Sequence, residues 1–160
     1  MIPTDPKYCL CVSPIRYGKI PPVCLPPLIS LEHALLIKII YVGLGGFIGA
    51  SLRYLTSGIV GRFTTQGSFP YGTFVVNMLG CLLIGFLAGL ADSRDIFTAT
   101  SRAFVFTGIL GAFTTFSTFS YETMGLFQSG GTSQALTNMG LQIVLGLMAV
   151  WVGIQISNLA

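Results

Sequence analysis

The stretch GAFTTFSTFSYET, Gly111 to Thr123, sets three phenylalanines among six Ser and Thr hydroxyls in one of the most apolar parts of the chain, and carries one acid, Glu122. Phe116 and Phe119 are three apart and project onto neighbouring parts of one helix face. Thr114, Ser117, Thr118 and Tyr121 can form a second, polar stripe at i+3 and i+4 spacing. A helix in lipid hides one or two hydroxyls by bonding them back to its own carbonyls. Six between Thr114 and Thr123 exceed what that device covers. Gly111, with the Thr pair beyond it, favours a break in the helix. Broken helices are tolerated at membrane depth where the freed carbonyls are buried or line a cavity, and such ends suit cations.

Two further polar groups interrupt apolar runs. Arg53 stands one residue before the end of GLGGFIGASLRY, in line with Gly45 and Gly49 at i+4 steps. A cation there either snorkels to the interface or faces protein and water. Asn77 lies on one face with Cys81, Gly85 and Gly89. Its amide either bonds a neighbouring helix or donates into an ion path, and the sequence leaves both open. Glu122 has an ordinary alternative too, a place near a helix end that reaches water. Asn138 and Gln142 share a face with Ala149 and Gly153, which reads as helix contact with a polar margin. Trp151 reads as a lipid-facing or packing aromatic.

These residues need a scaffold, and the composition says which. The 160 residues are 52% hydrophobic and 8% charged, with a mean hydropathy of +0.80. Soluble domains are about a quarter charged, so the chain reads as an integral membrane protein. Its net charge of +3, without a basic patch, points away from nucleic acid. Four apolar segments, about Leu35–Val60, Tyr71–Ala91, Ala103–Phe127 and Ala135–Ile156, each suffice to cross a bilayer. The predicted fold is an all-α membrane bundle of four transmembrane helices, the third broken, over residues 34–160.

Residues 1–33 hold seven of the eight prolines and no helical periodicity. They read as an irregular extension, with a composition that suits an adaptor, a cloning product or an upstream start. Cys9, Cys11 and Cys24 lie there; Cys81 lies in the second span. With one histidine, His33, and no second cysteine pair at zinc spacing, metal binding by the cysteines is disfavoured. Lys38, Arg94 and Arg102 on the terminal side against Arg62 on the other give a slight orientation bias. Lys7, Arg16 and Lys19 would add to it.

No Ser-His-Asp set or intramembrane acid pair supports an enzyme. Hydroxyls, amides, ring edges and one arginine, with little acid, instead make a lining for a small anion. Phe ring edges carry partial positive charge, and weak multiple contacts let an ion leave again.

GGFIGASLRY (Gly45–Tyr54), YGTFVVNMLGCLLIGF (Tyr71–Phe86) and GILGAFTTFSTFSYET (Gly108–Thr123) together resemble the three signature blocks of the Fluc, or CrcB, fluoride channels. The resemblance runs from about Ile39 to the C-terminus. It implies a dual-topology, antiparallel homodimer in the lipid bilayer with two fluoride pores. It also implies export of fluoride across a bacterial inner membrane, and so fluoride resistance. By motif position Asn77 would be the pore amide, and Phe116 and Phe119 the rings whose edges meet fluoride. Ser117 and Thr118 would belong to a polar track, Glu122 to its end, and Arg53 to an aqueous vestibule. Carbonyls of Gly111 and Thr114, from both protomers, would hold a central structural Na⁺. Ala112, Phe113 and Cys81 depart from the small residues expected beside these positions. One rival is a proton-coupled multidrug exporter, which would need an acid in the first span. Another is a membrane subunit that transports nothing, which leaves the hydroxyls and Arg53 unexplained.

Overall fold

The computed structural model describes residues 10–12, 23–25, 28–64, 69–94 and 96–159. The chain divides into two compact units, Met1–Ile40 and Tyr41–Ala160. In the first, β1 (Leu10–Val12) pairs antiparallel with β2 (Val23–Leu25), matching Leu10 with Leu25, Cys11 with Cys24 and Val12 with Val23. The sequence predicts an irregular extension here. Only these six residues of it and those from 28 onward are described, and the rest of that prediction, Cys9 included, lies outside the described residues. α1 (Leu28–Phe63) begins in this unit and continues into the second.

The second unit is all helical. α2 spans Tyr71–Arg94, and α6 spans Thr132–Leu159. Between them lie α3 (Ala99–Arg102), a π-helical stretch (Ala103–Leu110), α4 (Gly111–Phe113) and α5 (Phe116–Gln128). Among the described residues, four helical segments are long and apolar enough to cross a membrane: Leu35–Phe63, Tyr71–Arg94, Ala99–Gln128 and Thr132–Leu159. At about 1.5 Å per residue, the shortest, 24 residues, exceeds the roughly 30 Å of hydrocarbon. Phe47, Leu147 and Trp151 are among many large apolar side chains on the outside, where a soluble protein would place charge.

Lipid supplies no hydrophobic force to pull helices together, so close approach of small residues must do it. α2 and α6 pack along their length in this way. A Cβ on Gly85 would collide with the carbonyl of Val150, and one on Gly153 with the carbonyl of Leu82. α1 approaches the π-helical stretch likewise, Gly45 and Gly49 lying against Phe104 and Ile109 backbone. The glycine faces anticipated in the sequence are therefore packing surfaces.

The connections are capped as their sequences suggest. Thr98 accepts from Ser101 N at 3.2 Å to start α3. Arg102 Nη2 donates to the Ala91 carbonyl at 3.1 Å near the end of α2. After α5, Gly130 takes φ +81°, and Gly131 N and Gly130 N bond the Leu126 and Phe127 carbonyls. That Schellman ending requires a residue at ease in the left-handed region.

Candidate functional site

The third span changes character four times. Between Ala103 and Leu110 its hydrogen bonds open to π spacing, with Gly111 N reaching the Phe106 carbonyl. π segments inside helices often mark functional sites. One α turn follows, and then Thr114 (φ −80°, ψ 157°) and Thr115 (φ −151°, ψ 115°) are extended before α5 begins at Phe116. Such an interruption strands backbone donors and acceptors in a medium without water.

Side chains meet that need. Thr114 Oγ1 donates to the Leu110 carbonyl at 3.0 Å. Thr115 N donates to Asn77 Oδ1 at 3.0 Å, and Asn77 Nδ2 returns a bond to the Thr115 carbonyl at 3.3 Å. Asn77 thus pairs with one residue's backbone as a neighbouring strand would. Its Nδ2 also reaches Gln142 Oε1 at 3.2 Å. Thr115 Oγ1 caps α5 by accepting from Thr118 N at 3.2 Å, and it bonds the hydroxyls of Ser117 and Thr118.

Thr115 lines two clefts. One, of about 350 Å³, holds Asn77, Gly111, Thr114, Phe116, Phe119 and Gln142. The rings of Phe116 and Phe119 lie 5.5 Å apart at 54°, and Phe116 is 79% exposed. The other, of about 430 Å³, is more polar and holds Arg53, Ser57, Thr73, Thr118 and Glu122. Glu122 Oε1 accepts from Thr73 Oγ1 at 2.8 Å, while its Oε2 is buried with no hydrogen-bond partner among the described residues.

One expectation and one alternative reading need correction. Thr114, Ser117, Thr118 and Tyr121 do not form one helical stripe. The interruption separates Thr114 from the rest, and Tyr121 is 82% exposed on the outside. Glu122 is not at a helix end, because α5 continues to Gln128 and Thr73 on α2 holds the carboxylate inward. Ser117 is exposed and lines neither cleft.

Gln142 was underestimated in the sequence. Its Nε2 is buried and lacks a hydrogen-bond partner among the described residues, and it lines the cleft beside the ring pair. Asn138, fully buried, donates to Thr123 Oγ1 at 2.8 Å. The i, i+4 spacing of these two amides on an apolar helix was the available signal. What they face depends on how α6 packs.

The model of the family described as "CrcB-like protein, Camphor Resistance (CrcB)" matches residues 40–154. The chain belongs to the CrcB family. The match takes in most of the first and fourth spans, all of the second and third, the interruption and both clefts, and leaves out β1 and β2. A Methylobacillus flagellatus relative named "Fluoride-specific ion channel FluC" is 40% identical over 119 residues, covering 74% of this chain and 93% of the relative. Relatives of the same name from Flavobacterium psychrophilum and Clostridium novyi are 42% and 43% identical, over 75% and 74% of this chain and 96% and 91% of theirs. This CrcB-family chain is a multi-pass membrane protein by its four spans.

Proposed function

We propose that the chain is a passive fluoride-selective channel rather than an enzyme, and that it exports cytoplasmic fluoride across a bacterial inner membrane. Membership of a family whose relatives are named fluoride-specific channels supports this reading. The observation that carries it is the cleft beside the helix interruption, where ring edges and amide donors converge with no carboxylate among them. Fluoride is small and strongly hydrated, so close donors must replace its lost water. Phe116 and Phe119 edges supply partial positive charge, and the buried Gln142 amide supplies N–H groups. Asn77 spends its acceptor and one donor direction on Thr115. It therefore serves the path by holding the interruption open as well as by lining the cleft.

The working unit is an antiparallel, dual-topology homodimer with two pores. Phe116 and Gly111 lie exposed on the protomer, as residues completed by a second copy would. Arg53 serves the aqueous entrance, and Thr118 and Glu122 continue the track along the second cleft. Gly111 and Thr114 stand at a helix end, where the last carbonyls lack intrahelical partners. Carbonyl oxygens are the donor class of hard cations, so these two residues fit a structural Na⁺ shared between protomers. The ion would pin the two interruptions together and supply no transport chemistry.

Liposomes carrying the purified protein should release fluoride quickly to an electrode and hold chloride. Replacing both Phe116 and Phe119 by Ile should abolish release while the protein remains folded and dimeric. Undiminished flux in that variant would remove the rings from the path. The exporter rival needs an acid in span Leu35–Phe63, which has none.

A further inference from the structure

Met78 and Cys81 line the cleft of about 350 Å³ beside the ring pair, and the channel reading uses neither. Both project from α2, three residues apart. Neighbours at that spacing hold their Cβ atoms about 5–6 Å from one another. They also meet at one spot on α6. A Cβ built on Gly146 would lie 3.6 Å from Cys81 Sγ and 3.6 Å from Met78 Cε. Gly146 is buried and carries no side chain, so the thiol and the end of the thioether share the space over it. Cys81 is a free thiol and half-buried. Met78 has three rotatable bonds, so its Sδ can turn toward Cys81 without moving the backbone.

One thiol in a cleft would be incidental. Two sulfur donors converging there select a class of ligand. Thiolate and thioether are soft ligands and favour soft cations such as Cu(I). Such cations are satisfied by two donors, unlike zinc, which takes four. Among the described residues no group of three or more His, Cys, Asp or Glu side chains is placed to hold a metal. We propose that Met78 and Cys81 form a two-sulfur site for a soft monovalent cation, Cu(I) or Ag(I), whose occupancy closes the cleft to fluoride. Binding is ligand exchange without electron transfer. Cys81 gives its proton to solvent and binds as the thiolate, Met78 Sδ donates a lone pair, and the cation sheds water. One positive charge meets one negative charge, so the complex is neutral and suits a cleft that Ile84, Leu110 and Ile143 also line. Its bulk falls in the same cleft as Phe116, Phe119 and Gln142. The closure, unlike the binding, rests on the proposed channel function.

The full chain with Cys9→Ser, Cys11→Ser and Cys24→Ser keeps Cys81 as its one thiol. Purified in detergent, it is titrated with silver nitrate in chloride-free buffer, with thiourea as a competing soft ligand. The thiol that remains is then counted with a maleimide. Expected is protection of Cys81 at one silver ion per chain, and none with sodium nitrate. Met78→Leu keeps the volume and removes the thioether, and should need about tenfold more silver. A thiol labelled fully at every silver concentration would overturn the proposal. So would Met78→Leu protected as readily as its parent, which would leave a lone thiol. In liposomes, silver should stop fluoride release from the single-thiol chain and leave it running once Cys81→Ser is added. Release that continues with the site filled would overturn the closure. Liposomes that release no fluoride even without silver would count against the channel reading and the closure with it, while the thiol titration still decides the site.

Discussion

The α2–α6 seam and the interruption at Thr114–Thr115 answer the same constraint in opposite ways. Both must keep backbone polar groups satisfied where water is absent. Along the seam every helical bond is kept, and side chains are removed so that backbones touch: Gly85 meets Val150 and Gly153 meets Leu82. At the interruption the helical bonds are given up, and side chains are brought in to replace them, above all Asn77 on Thr115. At these glycine contacts the seam offers no side-chain donor or acceptor and can only hold. The interruption leaves polar atoms facing clefts, and that leftover capacity is what the proposed ion path would use. On that proposal, stability and function reside in different parts of one small bundle.

The sharpest way to break that contrast is Gly153→Leu. Its side chain would be driven into the Leu82 carbonyl, and overpacking of this kind with no room to yield costs about 1–3 kcal/mol or more. Loss of a monodisperse detergent peak is expected, with flux lost because folded protein is lost. Intact folded protein with full flux would mean that the seam is not tight. Asn77→Ala comes next. It orphans the Thr115 N–H and C=O, each costing roughly 1–3 kcal/mol when buried. A markedly lower unfolding temperature and a collapse of fluoride flux in the surviving fraction should appear together. Normal stability with lost flux would make Asn77 a lining group alone.

Gln142→Leu removes a buried amide of which only Oε1 is bonded. Stability should change by at most about 1 kcal/mol, whereas fluoride flux should fall at least tenfold, as liposome efflux would show. Unchanged flux would leave the cleft to the rings and Asn77. Smallest is Arg102→Ala, which loses one bond to the Ala91 carbonyl and an exposed pairing with Asp92 at 3.7 Å. Exposed pairs are worth about 0–1 kcal/mol. A slight fall in melting temperature with unaltered flux is expected; a large flux defect would extend function beyond the interruption.

How much was legible in advance differs between the two regions. The seam could be read directly, because Gly and Cys recurring every four residues on an apolar helix have one main use in lipid. The ring pair and the surplus of hydroxyls also marked their segment, since apolar surroundings make each hydroxyl costly. Misplacing Tyr121 came from extending one helical period across a point where the period fails. Asn77 stayed ambiguous for a different reason: an amide has the same sequence signature whether it faces a helix backbone or an ion.

By itself, the order of residues determined the spans, their number and the chemistry available between them. Those follow from hydropathy over some 20 residues and from which side chains carry donors, both local properties. Only the tertiary structure decided that Asn77 grips Thr115, that Thr73 turns Glu122 inward, and that Gln142 is left with an unpartnered donor beside Phe116 and Phe119. Each of these joins residues far apart in the chain. Their partners are chosen by how closely the glycine faces let the helices approach, and no local pattern encodes that distance.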